Sequence, residues 1–472
     1  MSRVVKTGAE TLADVEIFSD RLTARTDGIL DIGGVAATEL LGRFGSPLVV
    51  GVEETLLANF DRIRAAFASA WPGSSGILYA IKSNNTLAFR HLLSRAGAGG
   101  DCFGMGELLA TLDSGADPAR VALNGSDKSA ELIRVAVARG VTINIDDADE
   151  VDMIADGASQ TGRRARVNLR LKVLPEALGP FMGGSTQRHG QGIASAKRAK
   201  WGLSPEAATD IAKRLLRMPG IDLAGFSVHI GHLSNRPEAF AAIAAEFGAA
   251  VLQICTVLSL RPRILDLGGG WAREREPEQR GAPIDWVSVE EQANAACDAL
   301  IGALGPLADP AMGPLPALWV EPGRYISGNA EVLLTTVGSV KEDCGYLWVN
   351  VDISTNDLMR IETGAFTYEI LPANRMHDAP TSSQEIVGST CFRSVIGAGR
   401  TLPRLRRGDV LAVLDAGMYA EVFSTQFNSV PRPAAVLIDP DGEVEVMRVR
   451  ETQDDVFASH RVPDRLKREE KE

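Results

Sequence analysis

Cysteine is scarce in this 472-residue chain and comes in an odd number. The five residues, Cys102, Cys255, Cys297, Cys344 and Cys391, form no short paired spacing. That excludes a disulfide framework and a zinc knuckle, so no metal is expected and a reducing cytoplasm is the expected location. Excess positive charge is lacking too: 49 Lys and Arg face 61 Asp and Glu, a net charge of −12. Such a surface repels phosphate backbones and anionic headgroups, so neither nucleic acid nor membrane is expected as a partner. Apolar runs approaching the roughly 18 residues that span a bilayer are absent. The opening MSRVVKTGAETLADVEIFSD also lacks the apolar centre of a signal peptide. Apolar residues nevertheless make up 45%, enough for well-buried cores, and the length exceeds one ordinary core, so two domains are expected.

What the chain does contain is a repeated alternation. Between residues 50 and 330, strand-like runs occur at ILYAIK (77–82), AGGDCF (98–103), RVALNG (120–125) and TINID (142–146). Four more follow: RVNLRLKV (166–173), AGFSVHI (224–230), RILDLGG (263–269) and ALWVEP (317–322). Intervening stretches such as SAELIRVAVARG and PEAATDIAKRLLRMPG place apolar residues three or four apart and end in glycine, the pattern of amphipathic helices. Eight strands with helical crossovers predict a (β/α)8 barrel, an α/β fold of the TIM type, over 47–329. After it, EVLLTTVGSV, YLWVNVDIS, DVLAVLDAG and AAVLIDPDGEVEVMRV read as strands with turns and little helix. A mostly β domain is therefore expected from 330–460 together with the N-terminal segment 15–46, followed by a charged tail at 461–472. An insert at 179–200, rich in Gly, Ser and basic residues, reads as a loop near the site.

In such a barrel the chemistry sits at the C-terminal strand ends. Those ends carry Lys82, Asp101, Asn124, Arg170, His229, Gly268, Gly269, Gly270, and Glu321 with Arg324. Each alone has a plain reading: Lys82 as a strand end reaching water, His229 as a satisfied core histidine, Glu321 as the ion-pair partner of Arg324, the glycines as a turn. Together they supply an amine, an imidazole, carboxylates, guanidiniums and a phosphate-sized glycine loop, the parts needed to hold pyridoxal 5'-phosphate. Lys82 would be the covalent anchor for the aldehyde, and His229 would stack on the ring. Glu321 would keep the ring nitrogen protonated, and Gly268–Gly270 with Arg324 would hold the phosphate.

YAIKSN, VHIGH, LDLGGG and EPGRY resemble the signatures of the alanine-racemase-fold amino-acid decarboxylases, the diaminopimelate and ornithine decarboxylase group. NDLMR (356–360), GSTC (388–391) and DAGMYAEVFSTQFNSVPRPAAVLID (415–439) continue the resemblance in family order over nearly the whole chain. It implies a carboxy-lyase and assigns Lys82 to the cofactor, His229 to its ring face, and Gly269 with Glu321, Gly323 and Arg324 to the cofactor loops. It further implies that Tyr419 touches phosphate and substrate. Cys391 would enter from a partner subunit to protonate the product, making the enzyme a homodimer with shared sites.

The substrate pocket departs from that family. Relatives of this group place an acidic residue directly after the cysteine, against the substrate's distal ammonium, whereas here Phe392 and Arg393 follow Cys391. The family's pocket tyrosine falls at or near Gly364, and the serine after HIG is His232. Arg324 and Arg360 remain as carboxylate binders, with Phe392, Arg393 and Tyr419 completing the substrate set. A distal ammonium would face Phe392 and Arg393 unpaired, so a substrate without one is expected, unless Glu362 or Glu369 substitutes. Two other functions fit the fold: an amino-acid racemase, which Glu321 argues against, and a silent regulator, which the retained Lys82, Cys391 and Tyr419 argue against.

Overall fold

The computed structural model describes residues 21–173, 200–229, 236–273, 287–363 and 368–467. Eight parallel strands close into one barrel. They are β1 (Ser75–Ala80), β2 (Gly99–Cys102), β3 (Val121–Leu123), β4 (Thr142–Ile145), β5 (Ala165–Arg170), β6 (Ile221–Ser227), β7 (Ile264–Asp266) and β8 (Ala317–Val320). The ring closes where Leu318, Trp319 and Val320 of β8 pair with Ser75, Gly76 and Ile77 of β1. Helices between strands begin as their sequences dictate: Ser129 and Ser204 accept the N–H of Leu132 and Ala207, and Gly140 ends its helix in the left-handed conformation.

The strands are shorter than the apolar runs that announce them. β1 stops at Ala80, and Ile81–Ser83 form a 3₁₀ turn, so Lys82 stands on a turn beyond the strand instead of at its tip. Two hydrogen bonds fold the chain back there, Tyr79 Oη to Asn84 O (2.9 Å) and Ser83 Oγ to Ala80 O (3.0 Å). Likewise β6 ends at Ser227, leaving His229 in the loop beyond it.

Among the described residues one helix, Pro237–Leu258, is long and apolar enough by composition to cross a membrane. Its Phe240, Ile243, Phe247, Val251 and Ile254 are buried in the barrel's outer core, and Phe240 stacks on Trp271 with centroids 4.9 Å apart. Packing against the barrel accounts for its apolarity.

The second unit is a nine-stranded sheet with Glu331–Asp343 near its centre. Leu48–Val52, which the sequence reading places at the start of the barrel, lies in this sheet: it pairs antiparallel with Glu331–Leu334 and parallel with Ala434–Ile438. All five of its residues are buried. A strand covered on both faces loses the alternation that separates one sheet type from another, which is why it reads as a barrel strand. The N-terminal strands Leu22–Ala24 and Leu30–Ile32 share a core with Leu48, Val332 and Val436. Residues 179–199 of the insert, together with His232 and Gly364, lie outside the described residues.

Candidate active site

The barrel mouth gathers charge that a core ordinarily excludes. Lys82 Nζ is ion-paired and hydrogen-bonded to Asp101, at the end of β2, and sits 4.7 Å from the centroid of the Phe103 ring. Burial disfavours its charge, but Asp101 and then Glu321 outweigh this and hold the ammonium above its ordinary pKa. Asp101, Asp266 and Glu321 are 0%, 0% and 3% exposed, three buried carboxyls around one lysine. They do not share charge equally. Burial alone would raise Glu321, yet the Lys82 ammonium and the Arg170 guanidinium pull it well below the usual carboxylate range. Asp101 is raised by burial and by Glu321 against the pull of Lys82. Asp266 is raised furthest, by burial and then by Glu321.

A directed chain of amides leads to these carboxyls. Asn124 Nδ2 donates to Asp101 Oδ1 (2.8 Å) and to Glu321 Oε1 (2.7 Å). Because carboxylates only accept, Asn124 must turn its oxygen the other way, where Asn144 Nδ2 donates to it (2.9 Å). Asn168 Nδ2 then donates to Asn144 Oδ1 (3.1 Å). The ladder steps from β5 to β4 to the end of β3, and every amide points its N–H toward the carboxylates.

The glycine loop is partly engaged in building the site itself. Gly268 N–H donates to Asp266 Oδ1 (2.8 Å) and Gly269 N–H to His229 Nδ1 (3.2 Å). The sequence reading gives all three amides to a phosphate; two of them already have partners within the protein. The Gly269 bond makes Nδ1 an acceptor, consistent with burial lowering the His229 pKa and keeping the ring neutral. Close approach explains the glycines: a Cβ on Gly268 (φ +69°) would stand 2.4 Å from Val228 O, and one on Gly269 would stand 2.6 Å from Glu321 O. Arg170, 6% exposed, ends β5 with Nη1 lacking a hydrogen-bond partner, 3.7 Å from Asp146 Oδ1.

The second unit reaches the same place. Tyr419 N–H donates to Ser83 O (2.7 Å) on the Lys82 turn, and Gly417 N–H donates to Gly328 O (2.9 Å). Gly323 packs on that turn as well; a Cβ there would stand 2.7 Å from Ser83 Oγ. Arg324 is buried beside it, opening the short helix Arg324–Ser327. Arg360 lies over the Tyr419 ring at 4.8 Å. Arg273, just after the glycines, forms a buried ion pair with Asp415 (3.1 Å), tying the glycine loop to the DAGMY block. Cys391, Phe392 and Arg393 stand apart. Among the described residues no hydrogen bond, ion pair or ring contact joins them to Lys82 or its partners. Cys391 is exposed, its N–H donating to Asn428 Oδ1 (2.8 Å), and Phe392 packs on Phe427 with ring centroids 4.2 Å apart and planes tilted by 34°.

Sequence reasoning missed Asn144, Asn168, Asp266 and Arg273. The first three share a signal, a polar residue inside a short apolar strand, which by itself does not separate a barrel interior from a solvated face.

Residues 55–328 match the family model described as the pyridoxal binding domain of pyridoxal-dependent decarboxylases. The diaminopimelate decarboxylase of Archaeoglobus fulgidus is 30% identical over 443 residues, covering 93% of this chain and 99% of the relative. That of Methanothermobacter thermautotrophicus is 30% identical over 440 residues, covering 93% and 97%. The crystal structure of diaminopimelate decarboxylase from M. jannaschii superposes with a TM-score of 0.83 at 28% identity, covering 95% of this chain and 99% of that one.

Proposed function

Because the chain belongs to the pyridoxal-dependent decarboxylases of the diaminopimelate and ornithine group, we propose that it removes the α-carboxylate of an amino acid whose distal end carries no ammonium. That it is an amino-acid decarboxylase using pyridoxal phosphate follows from membership. The finer statements, on substrate, residue roles, dimer and cytoplasm, are our reading.

The residues present fit the cofactor. Arg170 offers a buried guanidinium nitrogen that makes no hydrogen bond and lies 3.7 Å from Asp146 Oδ1, suited to an anionic oxygen. When bound, the cofactor supplies an electron sink for the pair released as the Cα–carboxylate bond breaks. The protein's part is to bind, orient and hold protons. Lys82 is the covalent anchor, kept in place by Asp101. With the cofactor bound, ionised Glu321 would hold a proton on its ring nitrogen, and neutral His229 would lie against its ring face. Gly270, Gly323, Arg324 and Tyr419 complete the phosphate site, and Arg360 with Tyr419 takes a substrate carboxylate.

Cys391 of the partner subunit would return a proton to Cα. Its exposure, and the absence of contacts to Lys82 among the described residues, support a site completed across an isologous dimer. Five free cysteines support a reducing cytoplasm.

The substrate reading rests on one observation: Phe392, beside Cys391, packs on Phe427 and is followed by Arg393, so among the described residues no carboxylate stands directly after the cysteine to meet a distal ammonium. Glu369, a conceivable substitute, faces Arg400 at 4.0 Å. The competing reading is diaminopimelate itself, favoured by the names of the relatives. Steady-state kcat/KM of the cofactor-loaded enzyme on diaminopimelate, lysine and ornithine decides between them. An unpaired buried cation suppresses turnover by orders of magnitude, so all three should be poor substrates and Phe392→Glu should improve at least one. A value of about 10⁴ M⁻¹s⁻¹ or more for any of them, ordinary for an enzyme, would reject the reading.

A further inference from the structure

Asp266 closes β7 immediately before the glycine loop and is fully buried. Its Oδ1 accepts the Gly268 N–H, but Oδ2 is buried and no donor among the described residues reaches it. The carboxyl it meets is that of Glu321, within hydrogen-bonding contact. The two turns are fixed against each other by the bond from Glu321 N–H to Gly268 O (2.9 Å) and by the pairing of Asp266 with Trp319. Two carboxyls in contact, away from water, cannot both be ionised. A bare buried carboxylate oxygen is costly, whereas a proton on it turns an orphaned acceptor into a donor with an acceptor beside it.

The surroundings decide which partner keeps that proton. Glu321 already takes the Asn124 amide (2.7 Å) and faces Lys82, Arg170 and the His229 ring. The charged groups bearing most on Asp266 are Glu321 and Asp101, both acidic, and the Gly268 amide is its one donor.

We propose that Asp266 is a positioning residue: protonated at Oδ2, it donates a hydrogen bond to Glu321 and so fixes Glu321 as the ionised partner of the cofactor's ring nitrogen. The second half rests on the reading of Glu321 given above. Asparagine at 266 reproduces the neutral acid, with an amide N–H in place of the acid O–H. Alanine removes the donor.

Infrared spectra of the full-length protein carrying isotope-labelled aspartate, with and without cofactor, should show a neutral carboxylic acid carbonyl band at pH 7 that disappears in Asp266→Asn. The pH midpoint of the bound cofactor's absorbance and its Kd should stay within about twofold of wild type in Asp266→Asn. In Asp266→Ala the Kd should weaken about tenfold or more and the midpoint should move, the scale of one hydrogen bond to a charged group. A wild-type spectrum without the acid band, or Asp266→Asn behaving like Asp266→Ala, would overturn the proposal. If Asp266→Ala does not fold, the infrared comparison of wild type with Asp266→Asn carries the decision. Glu321→Gln tells two failures apart: a cofactor absorbance identical to wild type sinks the ring-nitrogen half, whereas the protonation half is decided by the acid band of the wild type alone.

Discussion

Asp357 shows what burial does to a single carboxyl in this chain. Its Oδ2 accepts the Ser354 N–H (3.1 Å), but burial pushes its pKa up to about 6, outweighing that bond and the Arg448 charge. The folded value lies above the unfolded one, near 3.9. The group's favourable contribution is therefore complete below about pH 4 and is lost as pH rises through 6. Asp357→Asn keeps the acceptor and removes the ionisation, so it should stabilise the protein at pH 8 by about 3 kcal/mol and leave it unchanged at pH 4, as read by urea unfolding at both. At this scale the sequence is informative where a polar residue ends an apolar run. Lys82, Asp101, His229 and Glu321 stand out that way, and the structure gathers them at one mouth. Asp266 and Asn168 did not stand out because the inside of a barrel strand and a solvated face have the same period of two.

The asparagine ladder is a property of elements, since no single strand contains it. β3, β4 and β5 each bring one amide to the same level, and parallel register sets the spacing. Asn144→Ala would leave Asn124 Oδ1 and Asn168 Nδ2 facing nothing. We expect a loss of about 3 kcal/mol or more in chemical denaturation, because two buried groups lose their partners at once. Weaker cofactor binding should accompany it, since Asn124 would no longer be held toward Asp101 and Glu321. All eight barrel strands were legible, because most are compact apolar runs followed by a glycine or polar stop and the helical stretches between them keep the alternation in step. Leu48–Val52 was not assigned correctly, since LVVGV is apolar on both faces and carries no mark of the sheet it joins. Its partners lie about 280 and 390 residues further on, beyond the reach of local pattern.

At the scale of the molecule, the barrel and the sheet meet at the lysine turn through Tyr419 and at the glycine loop through the Arg273–Asp415 pair. Cys391 is not part of that joint. If it serves the neighbouring barrel, two inactive proteins can complement each other. Equal mixtures of Lys82→Ala and Cys391→Ala, allowed to exchange subunits, should recover up to about a quarter of wild-type activity, since half the dimers are mixed and each carries one intact site. No recovery despite proven exchange would rule against shared sites. That expectation comes only from the family resemblance, because a residue used by another subunit would leave no pattern in its own chain.

The amides of the ladder have one more effect. Asparagine has no proton to release near neutral pH. The wall from Asn168 to Asn124 can polarise Asp101 and Glu321, but no proton can hop along it. It behaves as an insulator that carries a field without carrying current. Exchange with solvent is left to the open side, where the Lys82 and His229 side chains are 28% and 31% exposed. Whatever covers those two side chains controls when the buried acids can re-equilibrate with bulk pH, and while they are covered their protonation state is a stored one.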